Sequence, residues 1–175
     1  RAFTLRDYII ITDSACDLSP KMVEELGVGV IPLEFQLKGK SYFNYPDERE
    51  ISTKEFYRIV REGESATTSQ VTVHRYTDYF EEVLKHGRDV LYIAFSSGLS
   101  GSCNSAKVAA QELQAKYPDN RVEVVDSLCA SLGQGLYVYH AVQEKKKGKS
   151  IDQVIQWLEE NKLNLCHWFT VDDLN

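Results

Sequence analysis

Seven residues, Ser96-Ser97-Gly98-Leu99-Ser100-Gly101-Ser102, follow the apolar run Val90-Leu91-Tyr92-Ile93-Ala94-Phe95 and lead into a stretch of good helix formers. Free backbone N–H groups, serine hydroxyls and the positive end of a helix dipole would meet there. That combination suits an anion, carboxylate and phosphate alike. The bland alternative is that these serines only cap the helix. Thr12-Asp13-Ser14 and Asp126-Ser127 also end apolar runs, and Thr67-Thr68-Ser69-Gln70 is a fourth hydroxyl-rich candidate. Asp13, Asp17 and Asp126 could hold Mg²⁺ or act as bases, but capping and turn roles are the readier explanation.

Enzymatic signatures fail one at a time. Gly98-Leu99-Ser100-Gly101-Ser102 has Ser102 where a nucleophile elbow needs its second glycine. Gly133-Gln134-Gly135-Leu136-Tyr137-Val138 begins like a dinucleotide fingerprint, yet Val138 replaces the third glycine and no strand directly precedes it. His74, His86, His140 and His167 show no metal-ligand spacing. No metal site and no cofactor is expected.

These loops need a scaffold to gather them. Tyr8-Ile9-Ile10-Ile11 predicts a buried strand, Ser19-Pro20 opens a helix ending at Gly27, and residues 28–33 predict a second strand that Pro32 places near an edge. Residues 34–50 suggest a hairpin turn around Lys38-Gly39 and an aromatic flap of Tyr42, Phe43 and Tyr45. Ser52 with Glu55 forms a capping box, residues 65–71 read as an irregular polar loop, and a helix carrying Tyr76, Tyr79, Phe80, Val83 and Leu84 follows. Further strands are expected at 90–95, 122–125 and 165–171, with helices at 106–116, 131–147 and 151–161. Strands alternating with helices imply an α/β fold, a mostly parallel sheet with helices on both faces. Ligands of such sheets bind at the carboxyl ends of the strands, where the polar loops collect.

The chain has 175 residues, of which 43% are hydrophobic and 26% charged, enough for a real core. A net charge of −6 argues against nucleic acid or an anionic membrane as partner. The one basic cluster, Lys145-Lys146-Lys147 with Lys149, suits a helix end. Cys16, Cys103, Cys129 and Cys166 are scattered without CxxC spacing, which reads as small buried hydrophobes in a reducing, cytoplasmic compartment. No apolar run approaches the roughly 20 residues of a membrane span, so no membrane insertion is expected.

Taken in order, Ile11-Thr12-Asp13-Ser14 with Asp17-Leu18, Val30-Ile31-Pro32-Leu33, Thr68-Ser69-Gln70, the serine loop 96–102, and Asp126-Ser127 with Ala130-Ser131-Leu132-Gly133-Gln134-Gly135 resemble the motif set of the DegV family. Each is weak alone, but five in order span nearly the whole chain. The resemblance implies a two-lobed α/β carrier that holds a long-chain fatty acid between its lobes and presents the carboxylate to a fatty acid kinase, feeding phospholipid synthesis. It places the carboxylate-binding threonine at Thr68 and the binding serine at Ser100. Residues 1–163 would be the N-terminal lobe and 164–175 the opening of a second, truncated lobe. An apolar face that the second lobe covers in the family would be a contact between copies in a homo-oligomer.

Val71 stands where the family usually has proline, and Ser102 where threonine is common; both leave the hydroxyls in place. Ile31, Leu33, Phe35 and Phe95 could line the path of the tail or be plain core. The rival reading is a serine-dependent hydrolase or acyltransferase using Ser97 or Ser100, which would need a base within reach of the serine.

Overall fold

A computed structural model describes residues 6–166. The first strand, β1 (Tyr8–Asp13), is buried along its length, and the 3-10 turn Ser14–Cys16 and helix α1 (Pro20–Leu26) follow it. The α1 boundaries are those its residues specify: the Ser19 hydroxyl accepts from the Met22 N–H, proline takes the first turn, and Gly27 closes the helix with φ 65°. Strand β2 (Gly29–Ile31) lies on the edge of the main sheet, as Pro32 suggests. Next comes a hairpin of β3 (Leu33–Leu37) and β4 (Lys40–Asn44), turned by Lys38 and Gly39 at φ 53° and 72°. Helix α2 (Thr53–Arg61) starts at Ser52, whose hydroxyl accepts from the Glu55 N–H.

Residues 65–71, expected as an irregular polar loop, contain a strand, β5 (Ala66–Ser69). It pairs antiparallel with β3, setting Phe35 opposite Thr68 and Glu34 opposite Ser69. All four of its side chains are exposed, so it lacks the inside–outside alternation by which a strand is recognised. The remaining elements are α3 (Val73–Lys85), β6 (Asp89–Ala94), α4 (Ser102–Lys116), β7 (Val122–Asp126), α5 (Ser131–Lys146) and α6 (Ile151–Cys166).

Four parallel strands form the main sheet in the order β2-β1-β6-β7. One face buries Tyr8, Ile10, Leu91, Ile93 and Val125 against α5 and α6; the other buries Ile11, Val90, Tyr92, Ala94 and Val122 against α3 and α4. Both faces being covered explains the continuous apolar runs of β1 and β6. A second sheet, β4-β3-β5, packs Phe35 and Leu37 against Ile59 of α2. Helix α6 runs unbroken past residues 163 and 164, and Leu165, expected to open a strand, continues the apolar stripe of Ile151, Val154 and Leu158. The rest of that expected strand lies outside the described residues. Among the described residues, no helix is long and apolar enough to cross a membrane. Cys16 and Cys103 are free and buried, whereas Cys129 is disulfide-bonded, a pairing that scattered sequence spacing could not reveal.

Candidate functional site

The carboxyl ends of β1, β6 and β7 converge, and their polar residues are tied to one another. Asp13 is fully buried and accepts four hydrogen bonds: from the Ala15 N–H (3.0 Å), the Phe95 N–H (3.1 Å), the Tyr92 hydroxyl (2.9 Å) and Gln134 Nε2 (3.1 Å). It caps the 3-10 turn, as a strand-end aspartate should, and also pins the start of the serine loop and the first turns of α5. Burial raises its pKa above the ordinary carboxylate range, against the lowering effect of those donors. Gln134 also donates to Thr12 Oγ1 (2.9 Å), which itself donates to the Ile93 carbonyl (2.9 Å). Ser14 Oγ accepts from the Leu33 N–H (2.9 Å), joining the main sheet to the small one.

The serine loop is internally bonded. The N–H groups of Leu99 and Ser100 both donate to the Ser96 carbonyl, that of Gly98 to Ser96 Oγ (3.2 Å), and that of Ser97 to Asp126 Oδ1 (3.2 Å). Half-buried Ser100 donates from Oγ to Ser102 Oγ (3.1 Å) and accepts the Ser102 N–H (3.2 Å). Helix α4 has no side-chain cap at Gly101, so its first turn keeps the dipole end expected of an anion site. Most loop N–H groups that looked free in the sequence are therefore occupied, and the Ser100 hydroxyl is itself turned to Ser102 Oγ.

Thr68 is on β5, the strand that leads into Gln70 and Val71. Its partner Phe35 stacks on Tyr42 (centroids 5.5 Å apart) and meets Phe56 edge-on (5.4 Å). Phe35, Thr68, Leu33, Ile51, Phe56 and Tyr57 wall a cavity of about 300 Å³, whose lining also carries Asp17, Glu34 and Glu48 but no Lys, Arg or His. An anion bound from this side would meet hydroxyls and the Asn44 amide rather than a cation. Ser100 is not part of that lining. The two segments nonetheless meet. Val71 donates its N–H to Ser102 Oγ (3.1 Å), and the Gln70 amide lies over Gly101 so closely that an added Cβ there would come within 2.6 Å of it. Proline at position 71 would lack that N–H.

Of the apolar residues proposed for the tail, Leu33 and Phe35 line the cavity, whereas Ile31 is completely buried in the core between β2 and the α3–α4 face. Phe95 is half-buried and outside the cavity. His74 pairs with Asp78 (3.3 Å), His86 contacts the Glu82 carbonyl (2.7 Å), and His140 stacks on Trp157. Among the described residues no histidine hydrogen-bonds to Ser97 or Ser100, and no cluster suits a metal ion. Tyr76, Tyr92 and Gln134 join this network, although the sequence marked them only as core or as part of a motif. Aromatic spacing marked the first two as core, and only their hydroxyls, invisible in a hydropathy pattern, bring them into the network.

Residues 8–175 match the family model described as "Uncharacterised protein, DegV family". A DegV domain-containing protein of Clostridium perfringens (strain 13 / Type A) is 47% identical over 98% of this chain and 58% of its own length. Among solved structures, a DegV family protein from Thermus thermophilus, described for its fatty acid binding, matches with a TM-score of 0.79 and 35% identity, over 90% of this chain and 54% of that one. A stearic-acid-binding protein from Eubacterium ventriosum matches with a TM-score of 0.78 and 32% identity, over 87% and 52%. This chain spans about half the length of these relatives. With the motifs, the parallel sheet and these matches in agreement, the chain belongs to the DegV family.

Proposed function

We propose that this chain supplies one side of a long-chain fatty-acid site, with the carboxylate held by the hydroxyls of Thr68 and Ser100, and that the whole protein is a carrier presenting that carboxylate to a fatty acid kinase for phospholipid synthesis. The observation that carries the reading is the row Tyr42–Phe35–Thr68, an aromatic platform ending in a hydroxyl at the wall of a cavity. Its volume, about 300 Å³, is at the low end of the roughly 300–1,000 Å³ of ligand pockets, as suits one side of a site. The fatty acids bound by the Thermus and Eubacterium proteins support the ligand class. The kinase step and the two anchoring residues rest on the motif resemblance and on the positions of Thr68 and Ser100.

Burying about a dozen methylenes at roughly 0.8 kcal/mol each yields on the order of 10 kcal/mol before association costs, so the tail supplies most of the affinity. A hydroxyl donating to a charged carboxylate adds about 1.5–3 kcal/mol and fixes which end of the ligand lies at the rim. Fluorescent fatty acid titration tests the assignment. Saturable binding that drops about tenfold or more in Thr68→Val plus Ser100→Ala supports it. Unchanged affinity in the double variant removes both residues from the site, and covalent fluorophosphonate labelling of Ser100 would replace the carrier by a serine enzyme.

A further inference from the structure

The backbone at residue 101 does not call for glycine. Its φ of −75° and ψ of −3° lie in the right-handed region open to any residue. What crowds a side chain there is Gln70: a Cβ on Gly101 would stand 2.6 Å from Oε1, 2.8 Å from Nε2 and 2.9 Å from Cδ of its amide. Three nearly equal distances mean that the amide lies flat on Gly101, at the start of α4. The backbone on either side of Gln70 is held. Ser69 pairs with Glu34 in the small sheet, and the N–H of completely buried Val71 donates to Ser102 Oγ (3.1 Å). The Gln70 amide itself has no hydrogen-bond partner among the described residues.

We infer that Gln70 is a third donor to the ligand carboxylate and that Gly101 is the residue that positions it. This rests on the assignment of Thr68 and Ser100 to that site. The amide sits between the two hydroxyls: Thr68 is two residues back along β5, and Ser100 is bonded to Gly101, one Cα–Cα step of about 3.8 Å away. A carboxylate that touches both hydroxyls therefore meets Gln70. An amide NH₂ has two N–H donors, and neither is taken up inside the protein, whereas Ser100 already donates to Ser102 Oγ. With neither end bonded, the amide turns its NH₂ to the ligand without breaking a hydrogen bond.

A hydrogen bond from a neutral donor to a charged carboxylate is worth about tenfold or more in affinity. One to an uncharged ester is roughly half as strong, or about threefold. The two ligands therefore separate a donor to charge from a residue that only packs. Gly101→Ala separates position from chemistry in turn. The atoms its Cβ displaces are the far end of a flexible side chain, so the fold is kept and the amide alone is pushed away.

The test titrates palmitate and methyl palmitate into the wild-type chain, Gln70→Ala, Gly101→Ala and the double variant. Each single variant should bind palmitate about tenfold and methyl palmitate about threefold more weakly than wild type, and the double variant should be no weaker than either single one. Undiminished palmitate binding by Gln70→Ala overturns the inference, as does an equal loss for both ligands. Wild-type affinity in Gly101→Ala, or additive losses in the double variant, overturns the part assigned to Gly101. If the wild-type chain takes up no palmitate, the carrier reading fails for this chain, and acetate then decides the role of Gln70. Its side-chain NH₂ signals in ¹⁵N NMR must shift saturably with acetate, relative to chloride at equal ionic strength, in wild type and not in Gly101→Ala. Signals indifferent to acetate overturn the inference.

Discussion

Helix α5 carries two glycines in its first turns, and alanine should have opposite effects at them. A Cβ on Gly135 would stand 2.7 Å from the Cys16 carbonyl oxygen and 3.1 Å from Leu18 Cδ2. The carbonyl is backbone, in a 3-10 turn held by the bond from the Ala15 N–H to Asp13, and cannot rotate aside. Overpacking costs about 1–3 kcal/mol, and a contact this short against backbone belongs to the upper part of that range, about 2–3 kcal/mol, against about 1 kcal/mol gained in helix propensity. The net expectation for Gly135→Ala is a loss of about 1–2 kcal/mol. At Gly133 the nearest atom would be Cys129 Cβ at 3.5 Å, an ordinary contact, so Gly133→Ala should be neutral or stabilise by about 0.5 kcal/mol. Urea unfolding followed by far-UV circular dichroism measures both. With a slope of about 2 kcal/mol/M, the Gly135→Ala midpoint should fall by about 0.5–1 M at unchanged slope. If Gly135→Ala unfolds at or above the wild-type midpoint, α5 does not press on the turn that holds Asp13, and the close packing invoked for the rim is wrong.

Phe35→Ala should lose about 3–5 kcal/mol of stability, since Phe35 is buried between Tyr42 and Phe56; Phe35→Leu should lose clearly less, and equal losses would deny the aromatic packing. Val71→Pro removes the N–H donated to buried Ser102 and should destabilise by about 1–3 kcal/mol in thermal melts, whereas Val71→Ile should not. Asp13 has a raised folded-state pKa, so its protonation favours the folded state. Its stabilisation is fully present below the ordinary carboxylate value of 3.8 and is lost as pH rises through the folded value. Wild type should accordingly lose stability relative to Asp13→Asn as pH rises above 3.8, and parallel profiles would contradict this. Cys16, 1% exposed with its thiol pushed up to about 11, should react with a disulfide reagent only as fast as the protein opens; rapid labelling in native buffer would refute its burial.

The parallel sheet was legible because buried strands and amphipathic helices leave hydropathy signals of different period, and the capping residues Ser19, Ser52 and Ser150 marked helix starts that the structure reproduces. Strand β5 was not legible. Thr67, Thr68 and Ser69 are exposed, and what makes them a strand is backbone pairing with β3, a partner distant in sequence. The length of α6 was underestimated because Leu165, four residues beyond the expected helix end at 161, reads equally well as a strand start until the core it packs against is known. At the site, the hydroxyl loops and their gathering at one rim followed from strand order. The occupancy of the loop N–H groups and the Asp13–Tyr92–Tyr76 file did not, since both depend on side chains from β1, α3 and β6 meeting in three dimensions.

The most direct test of the carrier account is native mass spectrometry of the purified chain, followed by organic extraction and identification of any lipid. The account requires a co-purified long-chain fatty acid in one-to-one complex, lost on Thr68→Ala plus Ser100→Ala substitution while the fold is retained. A lipid that remains bound to the double variant at wild-type occupancy would contradict the assignment of those hydroxyls, and a wild-type chain that neither carries a fatty acid nor takes up added palmitate would contradict the claim that the side of the site supplied here holds the ligand.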